Sequence, residues 1–213
     1  VRALCDKYGI LYIADEVMAG FGRTGKMWAF QHFDGVVPDL VTSAKGLSSA
    51  WMPISMVAMR SDIHEWARDT PVGWGSTFQA HPVAVACAYA CVKHMLETDL
   101  VGHAALLEPT IAKWQDKLVE KHPSVRQGRA IGCFGCLDLV TPGGQLYQPL
   151  TRGPLNPAFG EFKKALMDEG IYGFVRPGVF HTAPPLVVTH EQLDDGFARV
   201  DRALDVLDAA LGH

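Results

Sequence analysis

The sequence has no apolar run long enough to cross a bilayer. The longest, Pro82 to Val92, is about half of a span and is rich in Ala and Cys rather than Leu, which reads as a buried helix. Basic clusters are also lacking: 19 Lys and Arg lie scattered among 23 Asp and Glu, for a net charge of -4, so neither a nucleic acid nor a membrane partner is expected. Cysteine is scarce at five residues, and no second Cys pair stands ready to complete a zinc site with Cys133 and Cys136. Those two lie in the apolar run Ala130 to Val140; in a strand, residues three apart point to opposite faces and cannot chelate one ion, so no metal is expected. Cys87 and Cys91, spaced as one helical turn, read as small core residues of an intracellular protein in a reducing compartment, the cytoplasm ahead of an organelle. Gly20, Gly22 and Gly25 lack the G-x-G-x-x-G spacing and the strand-to-helix context of a Rossmann dinucleotide site. The opening Val1-Arg2-Ala3-Leu4 carries no methionine, signal-like segment or amphipathic presequence, and reads as a cut through the middle of a longer protein.

What is present is a globular composition, 48% hydrophobic and 20% charged over 213 residues, sufficient for one or two domains without a metal or disulfide staple. A helix over Arg2 to Tyr8 ends at Gly9. Ile10 to Ala14 then forms a β-prone run ending in Asp15-Glu16, as expected of a parallel strand buried on both faces. Pro38-Asp39 introduces a second run, Leu40 to Ala44, that delivers Lys45-Gly46; Pro53 to Met59 suits a third strand, and a polar helix follows around Asp62 to Arg68. Gly73 to Thr77 is a loop rich in glycine and hydroxyls ahead of a helix from Pro82 through Met95. The texture changes near Leu100, with an amphipathic helix over Ala104 to Lys121, a strand over Ala130 to Val140 and a Gly/Pro-rich loop from Thr141 to Pro157. Next come a helix over Phe159 to Glu169 and short strands at Tyr172 to Arg176 and Phe180 to Ala183. A Thr189/Gln192 capping box then starts a final helix reaching about Leu211. The boundaries predict two domains, 1–99 and 100–213.

Two parallel strands ending in Asp15 and Lys45 would place a carboxylate and an amine at the ligand-binding edge of an open α/β sheet. That pair suits carbonyl capture by an amine, with the acid holding a pyridinium nitrogen protonated as an electron sink, the chemistry of pyridoxal 5'-phosphate (PLP). Taken singly, Lys45 reads as a surface lysine at a strand end and Asp15 as a loop or helix cap. Asp15-Glu16 does not suit a paired-carboxylate hydrolase, because adjacent strand residues face opposite ways.

The ordered set Ile13-Ala14-Asp15-Glu16-Val17, Gly20-Phe21-Gly22-Arg23-Thr24-Gly25, Pro38-Asp39 and Ala44-Lys45-Gly46-Leu47 resembles the signature of class III aminotransferases, the fold-type I PLP enzymes that include the ω-amino acid transaminases. The resemblance implies an α/β fold: a partial PLP-binding large domain with a mostly parallel sheet, and a C-terminal α+β small domain. It implies that Lys45 forms the Schiff base and later moves the proton, that Asp15 pairs with the pyridine nitrogen, and that Val17 packs on the ring. Gly75-Ser76-Thr77-Phe78 resembles the family's phosphate-binding segment, so Ser76 and Thr77 become cofactor ligands, with Thr77 reaching the partner's cofactor in a homodimer. Arg176, in Gly173-Phe174-Val175-Arg176-Pro177-Gly178, resembles the small-domain arginine that clamps a substrate carboxylate; by itself it reads as a surface ion pair or an arginine packed under the Pro184-Pro185 turn. Trp28, Trp51 and Trp74 line the substrate pocket or belong to the core, and His81 is expected to pack and cap rather than to act as acid or base. Ser48-Ser49-Ala50-Trp51-Met52-Pro53 departs from the family's Gly-Gly segment toward the branch handling taurine and β-alanine.

The implied reaction moves an amino group from an ω-amino acid or amine donor to a 2-oxo acid acceptor in two ping-pong stages. The family's upstream glycine/serine loop, ring-stacking aromatic and first strands are absent from these 213 residues. The competing expectations are a non-catalytic fragment serving as an oligomerisation partner, or an aminomutase or decarboxylase on the same scaffold.

Overall fold

The computed structural model describes residues 1–73, 75–144, 156–176 and 178–213. Most of the loop expected over Thr141 to Pro157, together with Trp74 and Pro177, lies outside them. The chain divides into two compact units, Val1–Gly102 and His103–His213.

In the first unit, helix α1 (Arg2–Tyr8) ends on Gly9 in the left-handed conformation, as the sequence predicts. Strand β1 (Ile13–Asp15) pairs in parallel with β2 (Leu40–Ser43), which pairs antiparallel with β3 (Met56–Met59). β1 is shorter than the apolar run that announced it and is not enclosed on both faces: Ala14 is buried while Ile10, Leu11 and Ile13 are exposed. Its one neighbour among the described residues is β2, so Ile13 has no second strand to cover it. Helices α2 (Ser61–Asp69) and α3 (Pro82–Glu97) follow. The expectation of a fully buried α3 is corrected: it encloses Ala84, Ala88 and Met95 but leaves Val83, Val85 and Tyr89 exposed.

The register of β1 on β2 starts at Asp39. Its buried carboxylate accepts the Tyr12 N–H at 2.7 Å, pairs with Arg2 at 2.8 Å and contacts Arg60, while its own N–H donates to the Tyr12 carbonyl at 2.8 Å. The hydrogen bonds from Arg2 and from the Tyr12 backbone hold this carboxyl below its ordinary value against the opposing effect of burial.

After β1 the chain turns around Glu16, whose buried carboxylate accepts the N–H groups of Ala29 (2.9 Å) and Phe30 (3.0 Å), the first residues of a 3-10 turn over Ala29–His32. The Ser43 hydroxyl donates to the Glu16 carbonyl at 3.0 Å. Trp28 packs edge-on against Phe21 with ring centroids 4.9 Å apart. Gly20 and Gly46 are required by close approach: a Cβ on Gly20 would stand 2.9 Å from the Trp28 ring, and one on Gly46 would stand 2.7 Å from Phe21 Cβ.

The second unit packs helices α4 (Leu100–Lys121), α5 (Pro157–Asp168) and α6 (His190–Leu211) on a four-stranded antiparallel sheet. Its strands are β4 (Val125–Ile131), β5 (Phe134–Leu139), β6 (Phe174–Arg176) and β7 (Val179–Thr182), ordered β4-β5-β7-β6. Leu107, Ile111, Phe162, Leu137, Phe180 and Leu204 meet in its core. The single strand expected over Ala130 to Val140 is instead the end of β4, a turn and β5. Gly132 takes φ 55° in that turn, a conformation open to glycine that lets the apolar run reverse. Cys133 is thus buried in the turn and Cys136 lies on β5. No disulfide joins the five cysteines. The Thr189/Gln192 capping box at the start of α6 forms as read from sequence.

The end of α4 is tied to α6 by charge. His122 is fully enclosed, with Nδ1 2.7 Å from Asp208 Oδ2 and Nε2 2.7 Å from Asp201 Oδ1; Asp208 Oδ1 also accepts the Ser124 N–H at 3.1 Å. His122, Asp201 and Asp205 are grouped as metal ligands would be. The cations facing them are the Lys121 ammonium, 2.6 Å from Asp201 and 3.0 Å from Asp205, and the Lys117 ammonium, 3.3 Å from Asp201. Burial pushes the Asp201 carboxyl up, but hydrogen bonds from Lys121, His122 and Lys117 prevail and hold it at about 2 against an ordinary 3.8.

Two outcomes follow. A carboxyl held low in the folded state adds stability that is fully present above its ordinary value and is lost as pH falls through the depressed one. Asp201→Asn is therefore expected to cost roughly 1–2 kcal/mol at neutral pH after solvent screening, with the deficit vanishing between about pH 4 and pH 2. Urea unfolding at several pH values reads this directly, and a deficit independent of pH would refute it. Gly46→Ala is expected to cost about 1–3 kcal/mol through overpacking on Phe21, measured by thermal unfolding.

Candidate functional site

Asp15 and Lys45 emerge at the carboxyl end of the parallel pair. Asp15 stands in register with Thr42, and Lys45 follows three positions later, in the turn that leaves the neighbouring strand. Both side chains are exposed, and neither has an ion-pair partner among the described residues. Asp15 Oδ1 accepts the Val17 N–H at 3.0 Å, which orients the carboxylate and closes the loop that presents half-buried Val17. The strand alternation that set Asp15 against Glu16 holds, with Glu16 buried and Asp15 open to solvent.

Lys45 begins a 3-10 turn, Lys45–Leu47, closed by Leu47 N–H on the Ala44 carbonyl at 2.7 Å. Its φ is +29°, and Ser49 and Ala50 follow at +50° and +65°. Such left-handed backbone at residues other than glycine costs of order 1 kcal/mol each and concentrates where function dictates the path of the chain. The Lys45 ammonium rests against the Met18 sulfur, which joins the turn after β2 to the loop after β1. Asp15, Val17 and Lys45 are thereby gathered on one edge. Sequence reasoning missed Met18, because a single thioether three residues past a strand carries no pattern.

Ser76 and Thr77 lie on the exposed turn before α3, where Gln79 N–H reaches the Ser76 carbonyl at 3.1 Å. Ser76 lines an open cleft of about 820 Å³ with Ile54, Met56, Phe78 and His81; Asp15, Val17 and Lys45 do not line it. His81 takes the N-cap position of α3 without a side-chain cap bond, so its expected capping contact is not made. Pro82 at the next position needs no N–H partner, which removes part of the demand for one. Of the tryptophans proposed for the pocket, Trp28 packs on Phe21, Trp51 is 79% exposed and Trp74 lies outside the described residues.

In the second unit Arg176 closes β6, opposite Val179 of β7, with its guanidinium 4.9 Å from the centre of the Phe174 ring. The side chain is exposed and makes no ion pair among the described residues, so the surface-pair reading does not hold here. His181, which sequence reading passed over, lies beside it: its ring is 5.4 Å from that of Phe174. The signal was available in the alternation of β7, where Phe180 and Thr182 face the core and His181 faces outward with Val179.

The donor set fits the amine-capturing and ring-holding ends of PLP. An uncommitted amine and an oriented carboxylate stand at neighbouring strand ends, with hydroxyls exposed ahead of a helix of 16 residues.

Comparison with known proteins agrees. The Aminotransferase class-III family model matches residues 1–204. The chain resembles the solved taurine:2-oxoglutarate aminotransferase from Bifidobacterium kashiwanohense, in complex with PLP and glutamate, with a TM-score of 0.92 and 39% identity over 99% of this chain and 47% of that one. It is 34% identical to an omega-aminotransferase of Caulobacter vibrioides over 98% of this chain and 46% of that protein. It is also 34% identical to a leucine/methionine racemase of Thermococcus litoralis, over 100% of this chain and 46% of that protein. The chain thus spans about half the length of the relatives it matches. It belongs to the class III aminotransferase family, with the fold-type I architecture of the PLP-dependent transaminases.

Proposed function

We propose that this chain carries the lysine-bearing part of a PLP-dependent aminotransferase that transfers an amino group from an ω-amino acid or amine to a 2-oxo acid in two ping-pong stages. The observation that carries the reading is the uncommitted pair of Asp15 and Lys45 at the ends of adjacent parallel strands. When bound, PLP supplies an aldehyde that captures amines and a pyridinium ring that accepts electrons.

The chain's own residues divide the remaining work. Lys45 Nζ would hold the cofactor through its amine and would take and return a proton at Nζ. The Asp15 carboxylate, oriented by the Val17 N–H, would keep the ring nitrogen protonated, and Val17 would pack on the ring. Ser76 and Thr77 bind phosphate through their hydroxyls, Thr77 doing so for the other subunit of a homodimer. Arg176 takes the substrate's acid group through its planar fork. The taurine and 2-oxoglutarate named for the Bifidobacterium enzyme support an acid-bearing donor and a 2-oxo acid acceptor here.

The racemase relative favours a second reading, in which Lys45 would remove and return a proton without amino transfer. Passage of label from a 15N-amino donor to 2-oxoglutarate separates the two.

The test is borohydride reduction of the chain with PLP followed by peptide mapping. Selective labelling of Lys45, lost in Lys45→Ala, is expected. Equal labelling of many lysines in both proteins would count against a formed cofactor site.

A further inference from the structure

His181 sits on the outer face of the small sheet, in register with Cys136 of β5 on one side and Phe174 of β6 on the other. Its imidazole lies between two rings, Phe134 at 6.5 Å and 14° and Phe174 at 5.4 Å and 42°. The Phe174 ring also carries the Arg176 guanidinium at 4.9 Å, so one aromatic side chain is shared by the imidazole and the guanidinium. Burial and then the Arg176 charge push His181 below its ordinary value. On the opposite side, Arg129 reaches the Cys136 sulfur at 3.4 Å and is paired with Asp138, a carboxylate it shares with Arg126 at 3.8 Å. The Tyr172 phenol lines the groove that His181 borders. Arg176 is therefore the neighbouring charge that no protein carboxylate balances among the described residues.

We propose that His181 is a proton-linked specificity residue: an organic acid anion seated on Arg176 draws a proton onto His181, so that affinity for acid-bearing substrates rises as pH falls. The inference rests on the reading of Arg176 as the acid-group ligand. While Arg176 is bare, its charge repels a proton from the imidazole; a bound carboxylate or sulfonate cancels that charge, and the repulsion ends. The coupling is reciprocal, so the added proton strengthens hold on the anion by the same factor. The flanking Phe faces favour the imidazolium once the repulsion is gone. The gain is fully present below the titration of the free protein and is lost as pH rises through that of the complex. Neutral amines, with nothing for Arg176 to hold, escape this dependence, and the pair thereby sorts donors by whether they carry an acid group.

The experiment uses the full chain and 2-oxoglutarate as probe. Ring NMR signals of the nine histidines are followed from pH 5 to 8.5, with His181 assigned by its disappearance in His181→Phe, which keeps the aromatic stack. The expected result is an upward shift of the His181 midpoint on saturation, absent in Arg176→Gln. Affinity is expected to fall about threefold more between pH 5.5 and 8 in the wild type than in His181→Phe, the size of a half-exposed charge interaction. Binding that needs Arg176 while the His181 midpoint stays still would overturn the inference and leave the Arg176 reading intact. Binding that is absent, or that is unchanged in Arg176→Gln, would remove both.

Discussion

The Asp39 carboxylate is the constraint on which the geometry of the first unit depends. It binds the Tyr12 N–H just before β1 and sits itself just before β2, so it aligns the starts of two strands more than twenty residues apart in sequence. Arg2 from α1 and Arg60 after β3 converge on it, so four segments are referred to one buried anion. A parallel ladder with aligned starts has aligned ends, and only then do Asp15 and the turn bearing Lys45 come out side by side. The end that carries Asp15 and Lys45 is thus specified from the opposite end of the strands.

What Asp39 does for register, Glu16 and the glycines do for the loops. Glu16 uses both carboxylate oxygens on the Ala29 and Phe30 N–H groups, which shapes the long excursion between β1 and β2 into a packed body with Phe21 and Trp28 inside it. Gly46 lets the turn after Lys45 lie directly on Phe21. Of two neighbouring acids, one is thereby spent on structure and the other left available, a division imposed by strand alternation alone.

That division was legible in the sequence, as were the parallel run into Asp15, the delivery of Lys45, the glycine stop of α1 and the capping box of α6. Each is a local rule acting over a few residues. The failures are non-local. Ile10 to Ala14 has the composition of a doubly covered strand, yet the covering neighbour is not among the described residues, so Ile13 is exposed. Ala130 to Val140 reads as one strand because its apolar character is continuous, and only the positive φ of Gly132 betrays the reversal. His181 went unnoticed because its environment is assembled from three strands, with Phe174 and Arg176 from the adjacent hairpin strand and Phe134 from a strand more than forty residues away in sequence. The Met18 contact with Lys45 and the His122 cluster are hidden for the same reason.

The distribution of arginine charge separates structure from chemistry in this chain. Arg2 and Arg60 meet Asp39, Arg126 and Arg129 meet Asp138, Arg199 meets Asp195, and Arg202 meets Glu169. Each of these guanidiniums has a carboxylate partner in the same unit, Arg126 and Arg129 sharing one, and serves to fix a strand or helix. Arg176 is held differently, by the face of Phe174, which orients a guanidinium while leaving its hydrogen-bonding edge open. An aromatic platform and a protein carboxylate both hold an arginine in place, but the carboxylate also uses up the fork that an incoming acid would need. Stacking is the arrangement that combines order with an unfilled binding capacity. Lys45 repeats the pattern in the other unit, resting on the uncharged sulfur of Met18 instead of on an acid. In both places the chain has positioned a basic group without neutralising it, as the roles proposed for Arg176 and Lys45 would require.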